Sequence, residues 1–200
     1  FQEQKLPVSC YYSVKTNPVP CLLRKLASLG VGASVISEYE LWLARAVGFS
    51  RVIVNGPAKS DELRLSAARA GVGMYSLDSE GEVDRTMSVA HDEDHRLKVG
   101  VRVCPCLGTL STKTSSGAKN SPYGLAPAES LVAAERVHNH PGLKFVGFHM
   151  HIGTGIKDLK PYRKALGVME RTILKANERG VPCAVLNLGG GIGIASAPIL

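Results

Sequence analysis

Short apolar segments alternate with longer amphipathic segments along the whole chain. Each of the seven apolar segments is rich in Val and Ile and is bounded by Gly, Pro, Asn or Ser, as is typical of buried β-strands. The segments are Cys10–Lys15, Gly32–Ile36, Arg51–Asn55, Gly73–Leu77, Lys98–Cys104, Leu143–His149 and Ala184–Leu188. This alternation predicts a parallel sheet whose strands are joined by helical crossovers.

The intervening segments have helical spacing, and several carry helix-end signals. Ser37 followed by Glu40 predicts a capping box, and Ser60 and Gly71 stand where a helix would begin and end. The polar stretch Pro105–Tyr123 is predicted to be a long loop, of a kind that is often functional. The predicted helices are Pro20–Leu29, Ser37–Val47, Ser60–Ala70, Ser79–Ala90, Pro127–His138 and Asp158–Arg179.

The length of the repeat distinguishes between two α/β architectures. Seven strands in 200 residues correspond to roughly 28 residues per unit, the pitch of a (β/α)8 TIM barrel of about 250 residues. A doubly wound sheet is the alternative, and it would place one ligand fingerprint after its first strand. Polar residues instead follow several strands, which favours a barrel truncated after its seventh strand. These rim residues are Lys15, Ser37, Asn55, Asp78, His149–Thr154 and Gly189–Gly193.

Composition and charge narrow the functional classes. Hydrophobic residues make up 44% of the chain and charged residues 20%, as in ordinary globular proteins, and no apolar run has the length of a transmembrane helix. The net charge of +7 comes from scattered basic residues, so we expect anionic ligands but neither a nucleic-acid nor a membrane partner.

Among five cysteines only Cys104 and Cys106 are close, which is a poor zinc signature. Reduced thiols, a cytoplasmic location and no metal site are expected.

Lys15 closes the first predicted strand, in the segment Y-Y-S-V-K-T-N-P. At the mouth of a barrel, burial would favour the neutral amine and make it a nucleophile able to form a Schiff base. The alternative, which the position alone favours, is a lysine on the rim whose amine reaches water.

His149 and His151 lie at the end of the sixth predicted strand, in F-H-M-H-I-G-T-G. Residues two apart on a strand share a face, so both rings could point inward. The pair suits a metal, although no further ligands accompany it, or one ring could stack on a flat cofactor. A hydrogen-bonded buried histidine is the alternative.

Four glycines follow the seventh strand in the segment G-G-G-I-G, which ends at Gly193. Consecutive glycines let backbone N–H groups approach an anion and form a phosphate nest, and barrels often bind phosphate in this region. Thr154 would add a hydroxyl to the same anion. A tight turn is the alternative, but it requires fewer glycines. Together, a strand-end lysine, a stacking histidine and a phosphate nest suit pyridoxal 5'-phosphate (PLP).

Four motifs, in order along nearly the whole chain, resemble the PLP-dependent decarboxylases with an alanine-racemase-like barrel, the family of diaminopimelate, ornithine and lysine decarboxylases. The motifs are Y-Y-S-V-K-T-N-P, V-I-S-E-Y-E-L, F-H-M-H-I-G-T-G and L-N-L-G-G-G-I-G. The resemblance implies that residues 1–200 form the PLP-binding barrel domain, incomplete without an eighth strand and a C-terminal β domain. It also implies decarboxylation of a basic or diamino amino acid by a cytoplasmic homodimer, with the fragment inactive alone.

The resemblance assigns roles to individual residues. Lys15 resembles the lysine that holds the cofactor as a Schiff base, and His151 resembles the histidine stacked on the pyridine ring, which makes these two the expected catalytic residues. Thr154 stands where the family usually has a phosphate-contacting Ser. The residues that resemble the phosphate loop are Gly189, Gly190 and Gly191.

The chain departs from the family pattern at several points. Ser34 stands where many members have Asp beside the cofactor, and the S-P-Y-G segment Ser121–Gly124 carries Pro122 in place of the Lys of S-K-F-G. The E-P-G-R of the eighth strand, and the Cys/Asp pair and Tyr of the second domain, are not found in residues 1–200. Two alternative functions therefore stay open: a non-catalytic family member that binds a partner protein, and an amino-acid racemase of the same fold.

Overall fold

A computed structural model describes residues 7–88, 96–107, 116–118 and 121–193. In these ranges, seven strands alternate with helices in the predicted order. The strands are β1 (Tyr11–Ser13), β2 (Gly32–Val35), β3 (Val52–Val54), β4 (Met74–Leu77), β5 (Leu97–Arg102), β6 (Leu143–His149) and β7 (Val185–Asn187). The helices are α1 (Pro20–Ser28), α2 (Glu38–Ala46), α3 (Asp61–Arg69), α4 (Glu80–Ser88), α5 (Pro127–His138) and α6 (Lys160–Glu178).

The strands pair in parallel and in sequence order, from β1 at one edge to β7 at the other. Asn187 Nδ2, in β7, nevertheless lies 3.4 Å from Oδ1 of Asn55, which follows β3. In a flat sheet these two strands would be about 19 Å apart, because neighbouring strands are spaced by about 4.8 Å. The sheet is therefore strongly curled, which confirms the predicted barrel class, with seven strands in the described residues.

The apolar core has two parts because successive strand residues face opposite sides of the sheet. The larger part lies between the sheet and the helices and includes Val54, Tyr75 and Phe148. The alternate positions Ile53 and Met74 pack with Val146 and Tyr11 in a separate cluster inside the curl. The inside of the curled sheet is thus filled by side chains beneath the ends of the strands.

Serine side chains begin two helices as predicted. Ser37 Oγ accepts the Glu40 amide at 3.2 Å, and Ser60 Oγ accepts the Leu63 amide at 3.0 Å. The predicted capping box is wrong in one respect: Glu40 Oε2 accepts the amide of Ile36, at 2.9 Å, one residue before the expected donor. Glu40 therefore anchors the loop that follows β2, and Ser37, predicted as a rim residue, is used in helix capping.

The first strand is shorter than predicted. β1 ends at Ser13, and Val14–Thr16 form a single 3-10 turn that carries Lys15 away from the strand. Val14 takes the fully buried position of this turn. Lys15 beside it stays exposed to water, which agrees with the lysine on the rim and not with the buried amine.

Two buried ion pairs lie near the carboxyl ends of β3, β4 and β5. Lys59 follows β3, Asp78 follows β4, Glu82 lies in α4 and Arg102 ends β5. Lys59 Nζ lies 2.8 and 3.1 Å from the two carboxylate oxygens of Glu82, and 5.1 Å from the centre of the Tyr75 ring. Arg102 lies 2.6 Å from Asp78, whose amide donates to Glu82 at 2.8 Å. Burial lowers the pKa of Lys59, although Glu82 opposes that shift. Because Glu82 is shared, the two pairs form one network.

We predict that Lys59→Met lowers the free energy of unfolding by about 3–5 kcal/mol, because it leaves the Glu82 carboxylate buried without its counter-charge. Arg136→Met is the matched control, since it breaks the exposed pair of Arg136 and Asp84 and is expected to cost at most about 1 kcal/mol. Urea unfolding of both variants measures the difference. Equal losses would contradict a special role for the buried pair.

Candidate functional site

Polar side chains form a layer inside the curled sheet, where the carboxyl ends of its strands meet. Asn55 Nδ2 donates to Ser34 Oγ in β2 at 2.9 Å, and Asn187 in β7 reaches Asn55 from the far edge. Ser76 Oγ in β4 hydrogen-bonds His149 Nδ1 in β6 at 2.9 Å. The first two contacts join β2, β7 and the residue after β3, and the third joins β4 and β6. Together they form a polar layer across the inside of the sheet at this rim.

The two histidines of the H-M-H segment have different environments. His149 is buried, and its pKa lies well below the ordinary value because of desolvation and the nearby charge of Arg102. His151 is half-buried beyond the end of β6, and its Nδ1 accepts the Gly190 amide at 3.4 Å. Burial, followed by the charges of Arg102 and Lys15, lowers the pKa of His151. His149 is thus the hydrogen-bonded buried histidine, whereas His151 lies beside the glycine segment.

The glycine segment packs on the chain that follows β6. The structural reason for glycine differs from one position of the segment to the next. Gly191 has φ +89°, and a Cβ there would lie 1.7 Å from the Gly153 carbonyl oxygen, so the fold requires glycine. The Gly191 oxygen accepts the amide of Ile156 at 2.9 Å. Gly190 has no left-handed φ, and a Cβ there would meet no atom within 4 Å. Packing therefore leaves open space at Gly190, beside His151.

The other predicted site residues lie around the same point. Lys15 is exposed in the turn that follows β1, at the same rim as His151, and its charge contributes to the lowered pKa of His151. A Cβ on Gly189 would lie 3.0 Å from His151 Nδ1, and a Cβ on Gly191 would lie 3.3 Å from the Cα of Thr154. Thr154 is exposed. An accessible amine, a neutral imidazole and a hydroxyl thus lie at one rim with the glycine segment, and this set of groups fits pyridoxal phosphate.

Sequence analysis missed three residues that shape this rim. Ser76 and Arg102 are polar residues at the carboxyl ends of largely apolar strands, and that position is the signal that could have revealed them. The Arg102 guanidinium lies 5.2 Å from the centre of the Tyr123 ring, so the S-P-Y-G segment does reach the rim. Tyr162 O–H donates to the Gly190 oxygen at 3.0 Å. No local signal pairs Tyr162 with Gly190, because they lie in different elements.

A metal was one option for the pair of His149 and His151. In the part of the chain that the structure describes, no group of three or more His, Cys, Asp or Glu side chains is arranged to hold a metal ion. The described helices include none that is both long enough and apolar enough to span a bilayer.

Comparison with known proteins agrees with the geometry. A family model described as pyridoxal-dependent decarboxylase, pyridoxal binding domain, matches residues 1–198. Diaminopimelate decarboxylase of Aquifex aeolicus is 30% identical over 193 residues, covering 94% of this chain and 45% of that protein. The enzyme of Deinococcus radiodurans is 36% identical over 185 residues, covering 90% and 45%. The chain thus spans less than half the length of these relatives.

A solved structure extends the agreement to three dimensions. Diaminopimelate decarboxylase from M. jannaschii, in co-complex with L-lysine, matches with a TM-score of 0.84 at 26% identity. The match covers 96% of this chain and 46% of that chain. The curled parallel sheet is therefore an arrangement shared with that enzyme.

We predict that His149→Gln weakens the loss of stability in acid. Below pH 6.5 the unfolded chain protonates His149 while the folded protein, with its lowered pKa, does not. Stability therefore falls as the pH falls through this window, by up to about 1.4 kcal/mol per pH unit for that proton. Urea unfolding between roughly pH 5 and pH 8 measures this slope. The control is His138→Gln, since His138 is exposed. If the slope in His149→Gln equals that of wild type, the lowered pKa of buried His149 is refuted as the cause.

Proposed function

We propose that this chain, which belongs to the pyridoxal-dependent decarboxylase family as that family's pyridoxal-binding domain, holds pyridoxal phosphate for the decarboxylation of an amino acid with a second amino group. The observation that carries the proposal is the half-buried His151, which hydrogen-bonds the Gly190 amide beside the open space at Gly190. The chain covers 45% of its Aquifex relative, so we assign to it the cofactor-holding part of that activity.

Lys15 is the residue to which we assign covalent attachment. When bound, pyridoxal phosphate supplies an aldehyde that reacts with amines and a ring that accepts the electron pair left by a departing carboxylate. The Lys15 amine is exposed at the end of β1, so it can reach an aldehyde without prior movement of the core. A primary amine is the group that this chemistry requires at the attachment point.

His151 is suited to hold a flat ring in one orientation. Its imidazole accepts the Gly190 amide at 3.4 Å, and its carbonyl oxygen accepts the Ser116 hydroxyl at 2.7 Å. These contacts fix the residue from two sides, and the lowered pKa keeps the ring neutral near neutral pH. A fixed, neutral ring offers a stacking surface that limits the tilt of a bound ring.

The glycine segment and Thr154 are suited to hold the phosphate. Gly191 lets the chain approach Gly153 closely, and the Tyr162 hydroxyl holds the Gly190 oxygen at 3.0 Å. The segment is thereby fixed while the space beside Gly190 stays open. The Gly189 and Gly190 amides already donate to Asn187 and His151, so the amide of Gly191 and the exposed hydroxyl of Thr154 are the donors that we assign to the phosphate.

Similarity to known enzymes supports a diamino acid as the substrate. The relatives from Aquifex aeolicus and Deinococcus radiodurans are diaminopimelate decarboxylases, and the M. jannaschii structure is a complex with L-lysine. Diaminopimelate and L-lysine each carry an amino group at both ends of an aliphatic chain. We therefore expect the substrate to be an amino acid with two amino groups rather than one.

The test of the proposal is to trap the cofactor by reduction. Incubation with pyridoxal phosphate and then borohydride is expected to attach the cofactor to Lys15, so that trypsin leaves Leu6–Arg24 uncleaved. Lys15→Ala should abolish labelling of this region, whereas Lys25→Ala, an exposed lysine of α1, should retain it. Full labelling of Lys15→Ala, or wild-type labelling confined to other lysines, would refute the assignment.

We further predict that Gly190→Ala weakens binding of pyridoxal phosphate by about tenfold, equivalent to about 1.4 kcal/mol, because its methyl group enters the open space. Its free energy of unfolding should stay within about 1 kcal/mol of wild type, since that methyl group meets no other atom. Gly81→Ala, equally free of contacts but in α4, is the control for affinity. Fluorescence titration measures binding, and equal affinities in both variants would contradict the assignment.

A further inference from the structure

Two thiols face each other directly after β5. Cys104 and Cys106 flank Pro105, and their Sγ atoms are 3.9 Å apart. A disulfide has an S–S distance of about 2.05 Å, so bond formation requires a further approach of about 2 Å. We propose that Cys104 and Cys106 form a reversible dithiol–disulfide site that reacts with small-molecule disulfides, a property separate from cofactor binding.

The backbone already brings the two thiols together. Pro105 has its φ angle restricted by its ring, so the one residue between the cysteines has little freedom to lose. Cys106 has φ +50°, a left-handed turn that is uncommon for residues other than glycine. Its thiol donates to the Cys104 carbonyl oxygen at 3.4 Å. The turn therefore folds the Cys106 side chain back over Cys104, as a disulfide between them requires.

The two thiols differ in access, which sets the order of reaction. Cys104 is buried, at 4% exposure, and burial raises its pKa to about 11. Cys106 is partly exposed. Because the thiolate is the attacking species and the small disulfide must reach it from solvent, Cys106 reacts first and Cys104 second.

The exchange balances without any further reactant. Cys106 loses its proton to solvent, and its sulfur attacks one sulfur of the small disulfide, releasing one small thiolate and leaving a mixed disulfide on Cys106. Cys104 then loses its proton and attacks the Cys106 sulfur, which releases the second small thiolate. Both thiolates take up protons. Two protein thiols are thus oxidised by two electrons, and the small disulfide is reduced by the same two electrons.

Oxidation would alter contacts that lead to His151. In the dithiol form, Cys104 Sγ donates to the Ala118 carbonyl oxygen at 3.3 Å. A disulfide sulfur carries no hydrogen, so this bond is lost. The neighbouring Gly117 accepts the Leu107 amide at 2.8 Å and donates to the Ile152 oxygen at 3.3 Å. The disulfide therefore removes the bond that ties Ala118 to Cys104, in the segment 116–118 whose Gly117 amide binds Ile152, the residue after His151.

The other cysteines provide internal controls. Cys10 and Cys21 are exposed, in the segment before β1 and in α1, and Cys183 precedes β7. The structure gives none of these three a cysteine neighbour among the described residues. An exposed thiol without a neighbour forms a mixed disulfide that no second thiol resolves. Cys10 and Cys21 should accordingly keep an adduct under conditions in which the proposed pair does not.

The test measures peptide masses after equilibration of the protein with graded mixtures of reduced and oxidised glutathione. Free thiols are blocked by alkylation, and trypsin then releases Val103–Lys113, which contains both Cys104 and Cys106. The expected result under oxidising mixtures is an unalkylated peptide lighter by two hydrogen atoms than the dithiol form, with glutathione on the Cys10 and Cys21 peptides. Two alkylated cysteines, or persistent glutathione on Val103–Lys113, would overturn the proposal.

Two variants test the order of attack. Cys104→Ser should retain glutathione on Cys106, because the resolving thiol is gone, whereas Cys106→Ser should leave buried Cys104 largely unmodified. The opposite pattern would overturn the assigned order.

Hydrogen exchange of wild-type protein in both redox states tests the link to His151. Faster exchange at the Leu107 and Gly117 amides after oxidation supports that link, and unchanged exchange overturns it.

Discussion

Parallel pairing of the strands in sequence order is the constraint on which the rest of the structure depends. Because every strand runs in the same direction, all their carboxyl ends meet at one rim. The curl of the sheet then brings distant ends together, as the contact between Asn187 and Asn55 demonstrates. His151 and Gly190, which are far apart in sequence, become neighbours through this arrangement, and Lys15 is brought to the same rim.

Burial at the rim decides which groups carry charge. The pair of Lys59 and Glu82 is buried, and Lys59 Nζ lies 2.8 and 3.1 Å from the two carboxylate oxygens. Arg102 is paired with Asp78 in the same network, yet its charge still acts on both histidines. In a poorly hydrated environment that charge disfavours a second cation nearby. Burial of His151, together with this charge, lowers its pKa and leaves a neutral imidazole beside the glycine segment.

The dithiol site and the candidate cofactor site occupy the same rim but use different atoms. The thiols lie after β5, whereas the proposed cofactor residues follow β1, β6 and β7. The connection between them is a short series of hydrogen bonds from Cys104 through the 116–118 segment to Ile152. Loss of the bond between Cys104 and Ala118 would therefore alter a segment that contacts Ile152, one residue from His151. This proximity follows from the neighbouring positions of β5 and β6 in the sheet.

The sequence by itself determined the element order, the barrel class, two serine caps and the candidate set around Lys15 and His151, because periodicity and helix-end chemistry are local properties. Tertiary structure decided which histidine is buried, which glycine the packing requires and where Tyr162 binds. It also left Lys15 exposed, since Val14 took the buried position of the turn. These outcomes depend on contacts between residues distant in the chain, and no local pattern records such contacts.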